Sequence, residues 1–157
     1  AVPKETIINE RRIALEPGVA KKLGDMGVKV MMQKGAALSS HFSDEAFEGV
    51  ELVDDANALF SGADLIFKVQ PPTSEELARI REGAVVVGFM APHKNADMIK
   101  AMCERKITSL AMELVPRITR AVKALTWLKG LMPRKTRKTG LNRRSSRMVN
   151  MFTTVPI

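Results

Sequence analysis

Four short, almost unbroken apolar runs, each separated from the next by a helix-like stretch, limit what this chain can fold into. They are residues 28–32 (VKVMM), 63–69 (ADLIFKV), 84–89 (AVVVGF) and 107–114 (ITSLAMEL). A strand with one face in water alternates apolar and polar residues, because successive side chains point to opposite faces. Runs without that alternation suit strands covered on both faces, as when helices flank a parallel sheet. The pattern predicts an α/β domain with a mainly parallel sheet flanked by helices.

The stretches between the runs carry helix signals. Pro17 fits a first helical turn, and Gly24 and Gly27 lie around the exit of a helix over 17–25. Short helices are expected over 43–48 and 54–60. Thr73-Ser74-Glu75-Glu76 reads as a capping box, in which hydroxyl and carboxylate each accept the other residue's backbone N–H. It opens a helix through Arg81 that Gly83 closes. Asn95 is expected to cap a helix over 96–105. No internal repeat is visible.

The net charge of +8 is unevenly placed. Of 25 lysines and arginines, nine fall in residues 122–157 with no acidic residue beside them, leaving 16 basic against 17 acidic residues in the first 121. The strand and helix pattern also ends there. From Pro133 onward the sequence is Lys, Arg, Thr, Ser and Asn with little apolar spacing, so an irregular, mostly disordered tail is expected. The division is a domain over 1–121 and a basic tail over 122–157. RKTRK and NRRSSR in the tail raise nucleic acid or an anionic membrane surface as partners. Trp127 and Phe152 are its only aromatic residues, which gives bases little to stack on, and no amphipathic period persists. No nucleic-acid partner is expected.

The apolar runs are far shorter than the roughly 20 residues that span a bilayer. The opening AVPKETIINERR lacks the basic and then apolar pattern of a secretion signal. Cys103 is the single cysteine, which fits a reducing compartment. With His41 and His93 the only histidines and no CxxC pair, no metal site is expected.

Phosphate cradles of the GxGxxG and GxxxxGK[ST] types are missing, and no Ser-His-Asp or Cys-His arrangement stands out. The chain carries no self-sufficient catalytic set. Four segments still hold candidate ligand groups. In Glu10-Arg11-Arg12, following Pro3-Lys4-Glu5-Thr6, an arginine fork before a helix suits a carboxylate or phosphate. The alternative is that Arg11 and Arg12 face solvent or pair with Glu5 or Glu10. Lys68 interrupts an apolar run near its C-terminal end, where open α/β sheets place ligands. A lysine there must reach an edge or meet an anion, because burying its charge alone is costly. The loop Phe89-Met90-Ala91-Pro92-His93-Lys94-Asn95 lies at the same edge, and its His93 either donates to a ligand or faces water. Arg117 and Arg120, after the last run, either hold nucleotide phosphates or belong to a linker.

The order of PKET, NERRIAL, QKGAALSSHFSDEAF, ADLIFKVQPP, FMAPHKN and SLAMELVPRITRA is more specific than any one of them. From Ala1 to about Ala121 the chain closely resembles the N-terminal lobe of the alanine dehydrogenase and NAD(P) transhydrogenase alpha-subunit family. The resemblance implies a flavodoxin-like or Rossmann-like lobe. Alanine dehydrogenases usually carry a catalytic histidine in a pattern like YLHLAA. That position falls on Ala91 here, two residues before His93. FMAPHKN looks instead like the transhydrogenase loop, F-hydrophobic-x-P-x-Q-N, and MELVPRITRA like the transhydrogenase ending. The alternatives are a truncated alanine dehydrogenase, which deaminates alanine with NAD, and a non-catalytic module whose basic tail binds nucleic acid.

The transhydrogenase resemblance implies a dimeric two-lobed component that binds NAD(H) in its cleft and passes hydride directly to NADP on a partner component. That partner is the membrane-embedded beta subunit with its proton channel, so the chain would be cytoplasmic and peripheral to the inner membrane. Residue by residue, Arg117 matches the arginine of P-R-[IV]-[ST]-R-A-Q that reaches the nucleotide. Arg12 and Lys68 match positions that grip the keto acid in alanine dehydrogenases. No catalytic residue is assigned. After Ala121 the family continues with a glutamine and M-D-x-L-S-S, whereas this chain reads Val122-Lys123-Ala124-Leu125-Thr126-Trp127. A GxGxxG lobe is also missing, so weak or no NAD binding by this chain alone is expected. The abrupt change at 122 is what a slipped reading frame would produce.

Overall fold

The structure is a computed structural model that describes residues 1–115. They form one compact unit, Ala1–Val115. Arg117 and the basic tail over 122–157 lie outside the described residues.

Along the chain run α1 (Pro17–Asp25), β1 (Met31–Gln33), β2 (Glu51–Val53), α2 (Ala56–Gly62), β3 (Leu65–Phe67), α3 (Ser74–Arg79), β4 (Val85–Gly88), α4 (Ala96–Glu104) and β5 (Thr108–Ala111). Turns of 3₁₀ helix occupy Leu38–Ser40, Asp44–Ala46 and Met112–Leu114. All strand pairs are parallel, in two ladders, β1-β2 and β3-β4-β5.

Ala1 and Val2 join the ladders. Val2 donates to Met31 O and accepts from Gln33 N, both at 2.9 Å. On the other side Ala1 N reaches Leu65 O at 2.6 Å, and Phe67 N donates to Ala1 O at 2.9 Å. The spatial order is therefore β2, β1, the 1–2 segment, β3, β4, β5. With the 1–2 segment counted as the first strand, successive strands are laid outward first on one side and then on the other. That is the doubly wound Rossmann-like order, and its direction reverses between residues 1–2 and β3.

Burial explains why the strands resist alternation. Ile66 and Val86, central in β3 and β4, are fully buried with Phe60, Leu77, Ile80, Met90 and Met102 around them. Each such side chain contributes roughly 1.5–3 kcal/mol on leaving water. Gly88 ends β4 for a steric reason: a Cβ there would lie 2.5 Å from the Lys68 carbonyl oxygen.

Local signals and structure agree at α1 and at α3, where the Thr73–Glu76 capping box is complete. They part elsewhere. The helix expected over 43–48 is a single 3₁₀ turn, with the Asp44 carboxylate accepting the Gly35 N–H at 3.0 and 3.1 Å. Asn95 makes no side-chain cap; its Nδ2 donates to Met90 O at 2.9 Å. The run over 28–32 pairs later than expected, at Met31–Gln33. Strand β2 gave no apolar signal because it is an edge strand with Glu51 and Leu52 exposed.

Candidate functional site

In a parallel sheet the loops leaving the strand C-termini share one rim. Here the segment 3–12 follows Val2, residues 68–73 follow β3 and residues 89–95 follow β4, so all three meet where the strand order reverses. Two carboxylates sew the first loop to the second. Glu5 accepts the Val69 N–H at 2.6 Å and the Gln70 N–H at 3.4 Å. Glu10 accepts from Gln70 Nε2 at 2.6 Å.

Lys68 sits behind this seam with its side chain 1% exposed. Its ammonium donates to Glu76 Oε1 at 2.8 Å and lies 3.5 Å from Glu5 Oε2. The other Glu76 oxygen accepts the Thr73 N–H at 2.8 Å, while the Glu76 N–H donates to Thr73 Oγ1 at 3.2 Å. One carboxylate thus closes the capping box of α3 and neutralises the buried lysine. The anion that Lys68 needs for burial is supplied by the chain itself.

Arg12 stands at the outside of the rim, its side chain 62% exposed. Its Nε and Nη2 donate to the two Glu10 oxygens at 2.8 and 2.7 Å. Its guanidinium carbon lies 6.0 Å from the centre of the Phe89 ring. The Arg12 guanidinium, with Gln70 second, holds the Glu10 carboxyl well below the usual carboxylate range. Glu10 in turn raises the Arg12 pKa.

Arg12 and Lys68 therefore share one end of β3, connected through Gln70, Glu10 and Glu5. Arg11 is exposed and its carbonyl accepts the Ser40 hydroxyl; His93 is exposed on the turn after Pro92. Sequence reasoning missed Gln70 and Glu113, and read Glu76 as a helix cap alone. Glu113 accepts the Met90 and Ala91 N–H groups, a contact across 22 and 23 residues that no local pattern signals. An open hollow of about 560 Å³ adjoins the Lys68 cluster, lined in part by Lys4, Thr6, Gln33, Phe60, Glu76 and Arg79.

At this rim the exposed Arg12 guanidinium, paired with Glu10, lies beside a half-exposed aromatic ring, Phe89. Its backbone donor pairs, Val69–Gln70 and Met90–Ala91, are taken by Glu5 and Glu113. Among the described residues no group of three His, Cys, Asp or Glu side chains could hold a metal, and no helix is long and apolar enough to cross a membrane.

The family model described as "Alanine dehydrogenase/PNT, N-terminal domain" matches residues 1–132. NAD(P) transhydrogenase subunit alpha of Cereibacter sphaeroides is 38% identical over 123 residues, covering 77% of this chain and 24% of that protein. Alanine dehydrogenase of Methanococcus maripaludis is 33% identical over 127 residues, covering 80% of this chain and 34% of that protein. The crystal structure of transhydrogenase from Sinorhizobium meliloti matches with a TM-score of 0.72 at 39% identity, over 76% of this chain and 36% of that one. An L-alanine dehydrogenase structure, 23% identical with a TM-score of 0.72 over 80% of this chain and 35% of that one, shares the fold. The chain spans about a quarter to a third of the length of these relatives. Sheet order, rim and sequence lead to one conclusion: the chain belongs to the alanine dehydrogenase/PNT family, of which it carries the N-terminal domain.

Proposed function

We propose that this chain is the N-terminal part of the NAD(H)-binding component of a proton-translocating NAD(P) transhydrogenase. The observation that carries the reading is the assembly of Arg12, Lys68 and their carboxylates where the strand order reverses, the place at which open α/β sheets hold nucleotides. Relatives named as transhydrogenase alpha subunits are 37–39% identical to it. In this reading the partners are a membrane-embedded beta subunit with its proton channel, which binds NADP, and a second copy of the full-length subunit. Location is cytoplasmic, at the inner membrane through that partner.

The described residues fit one wall of an NAD site. Arg12 offers an exposed cation and Phe89 an aromatic face, but the backbone donors that could cradle a pyrophosphate already hold carboxylates. NAD(H), when bound, supplies the hydride; the protein orients it. Arg117 completes the grip on the nucleotide. Arg12 meets a ligand anion first, and Lys68 reaches it only when the Glu5 segment moves aside. The chain alone therefore binds NAD weakly or not at all and is inactive. The basic tail is read as a frameshifted remnant.

Titrating the chain with NADH, read by nicotinamide fluorescence, tests the weak-binding claim: no saturation is expected in the micromolar range, and micromolar affinity would contradict it. Joining residues 1–121 to the second lobe of a transhydrogenase relative and adding its membrane partner tests the activity. Hydride transfer from NADH to an NADP analogue is expected. NADH formation from alanine would favour the second reading, alanine dehydrogenase, against which Ala91 stands where those enzymes carry histidine.

A further inference from the structure

The loop between β4 and α4 is fixed from outside by one side chain. Glu113, in the 3₁₀ turn after β5, accepts the Met90 N–H on Oε1 at 2.9 Å and the Ala91 N–H on the same oxygen. Its Oε2 lies 3.3 Å from the Met90 nitrogen. Asn95 holds the other side of the loop, with Nδ2 on Met90 O at 2.9 Å and its own N–H on Ala91 O at 3.2 Å.

Between these anchors Ala91 adopts φ +43°, a left-handed conformation that its Cβ disfavours. Lys94 N–H closes the following turn on Ala91 O at 2.8 Å, with Pro92 preset at the second position. The Met90 side chain is fully buried, so the loop cannot relax by sliding as a unit. Consecutive N–H groups aimed at one point form the type of concavity that holds phosphates and carboxylates. Here a carboxylate of the same chain fills it.

We propose that Glu113 is a positioning residue: its carboxylate keeps residues 89–95 in the left-handed form at Ala91 and ties that loop to the segment leading to Arg117. Without the anion, two backbone donors lose their acceptor and Ala91 leaves the left-handed region. Phe89, over which Arg12 lies, then loses its fixed neighbour at Met90, so the outer cation of the rim shifts as well. The consequence for a nucleotide rests on the function proposed above; the placement of the loop does not.

Amide hydrogen exchange on the 157-residue chain, followed by NMR, tests this. Glu113→Gln, which removes the anion facing the Met90 and Ala91 N–H groups, is expected to speed exchange of both amides about tenfold. The Val69 and Gln70 amides, whose acceptor is Glu5, keep their behaviour and report an intact fold. Met90 and Ala91 amides that exchange at the same rate with and without the Glu113 carboxylate overturn the proposal.

Discussion

Lys68 and Glu76 lie eight residues apart in sequence and 2.8 Å apart in space, both buried, and the same Glu76 carboxylate accepts the Thr73 N–H that opens α3. The start of that helix and the charge of the lysine are therefore held by one side chain. Moving either moves the other. A buried ammonium without its anion is costly, and so is a helix end without its cap, so the two penalties combine at Glu76.

Glu76→Ala is expected to cost about 3–5 kcal/mol, since it removes one member of a buried pair. Lys68→Met leaves Glu5 and Glu76 facing each other and should cost a comparable amount. Combining Lys68→Met with Glu76→Ala should cost clearly less than the two singles added. Urea unfolding of the chain measures all three, and additive losses would show that the pair is not coupled.

Gly88→Ala should destabilise by about 1–3 kcal/mol through overpacking. The new methyl group would meet backbone, the Lys68 carbonyl, which has no flexible end to swing away. A melting temperature within a degree or so of the parent would contradict the close approach of β4 to residue 68.

Glu10 gives a pH dependence with a definite sign. Its carboxyl pKa is depressed in the folded chain, first by Arg12 and then by Gln70. The contact therefore stabilises above the ordinary carboxylate range and weakens as pH falls through that range toward the lower folded value. Thermal melts of parent and Glu10→Gln should differ at neutral pH and converge on acidification. Added salt should narrow the gap at neutral pH, because Arg12 is largely exposed. A gap that widens in acid would reverse the assignment.

Ala91→Gly should leave stability unchanged or raise it by up to about 1 kcal/mol, since glycine adopts positive φ without strain but loses more entropy on folding. Ala91→Val should lower it by about 1–2 kcal/mol, because a branched Cβ fits that region worst. Chemical denaturation orders the three proteins, and valine matching glycine would remove the left-handed turn at this site.

Legibility followed the range of the interactions. The capping box at Thr73 and Glu76 is a four-residue device, and it was visible because both partners lie within one turn. The cores of β3 and β4 were visible because the burial of Ile66, Val86 and Val87 leaves unbroken apolar sequence. Glu5 and Glu10 were foreseen only as partners an arginine could find. Their acceptor roles at Val69 and Gln70 span 60 residues or more, where sequence spacing carries no information. Asn95 showed the opposite failure: its local cap signal was real, yet Met90 O offered its amide a better partner.

By itself the sequence determined the class of fold, the parallel character of its strands, and the positions along the chain where Arg12 and Lys68 fall. Those depend on periodicity and local capping, which neighbouring residues settle among themselves. Only the tertiary structure decided that residues 1–2 join the two ladders and that Lys68 is neutralised by Glu5 and Glu76. It also decided that Glu113 holds the loop after β4. Each of these requires segments distant in sequence to meet, and only the burial of the whole sheet brings them together.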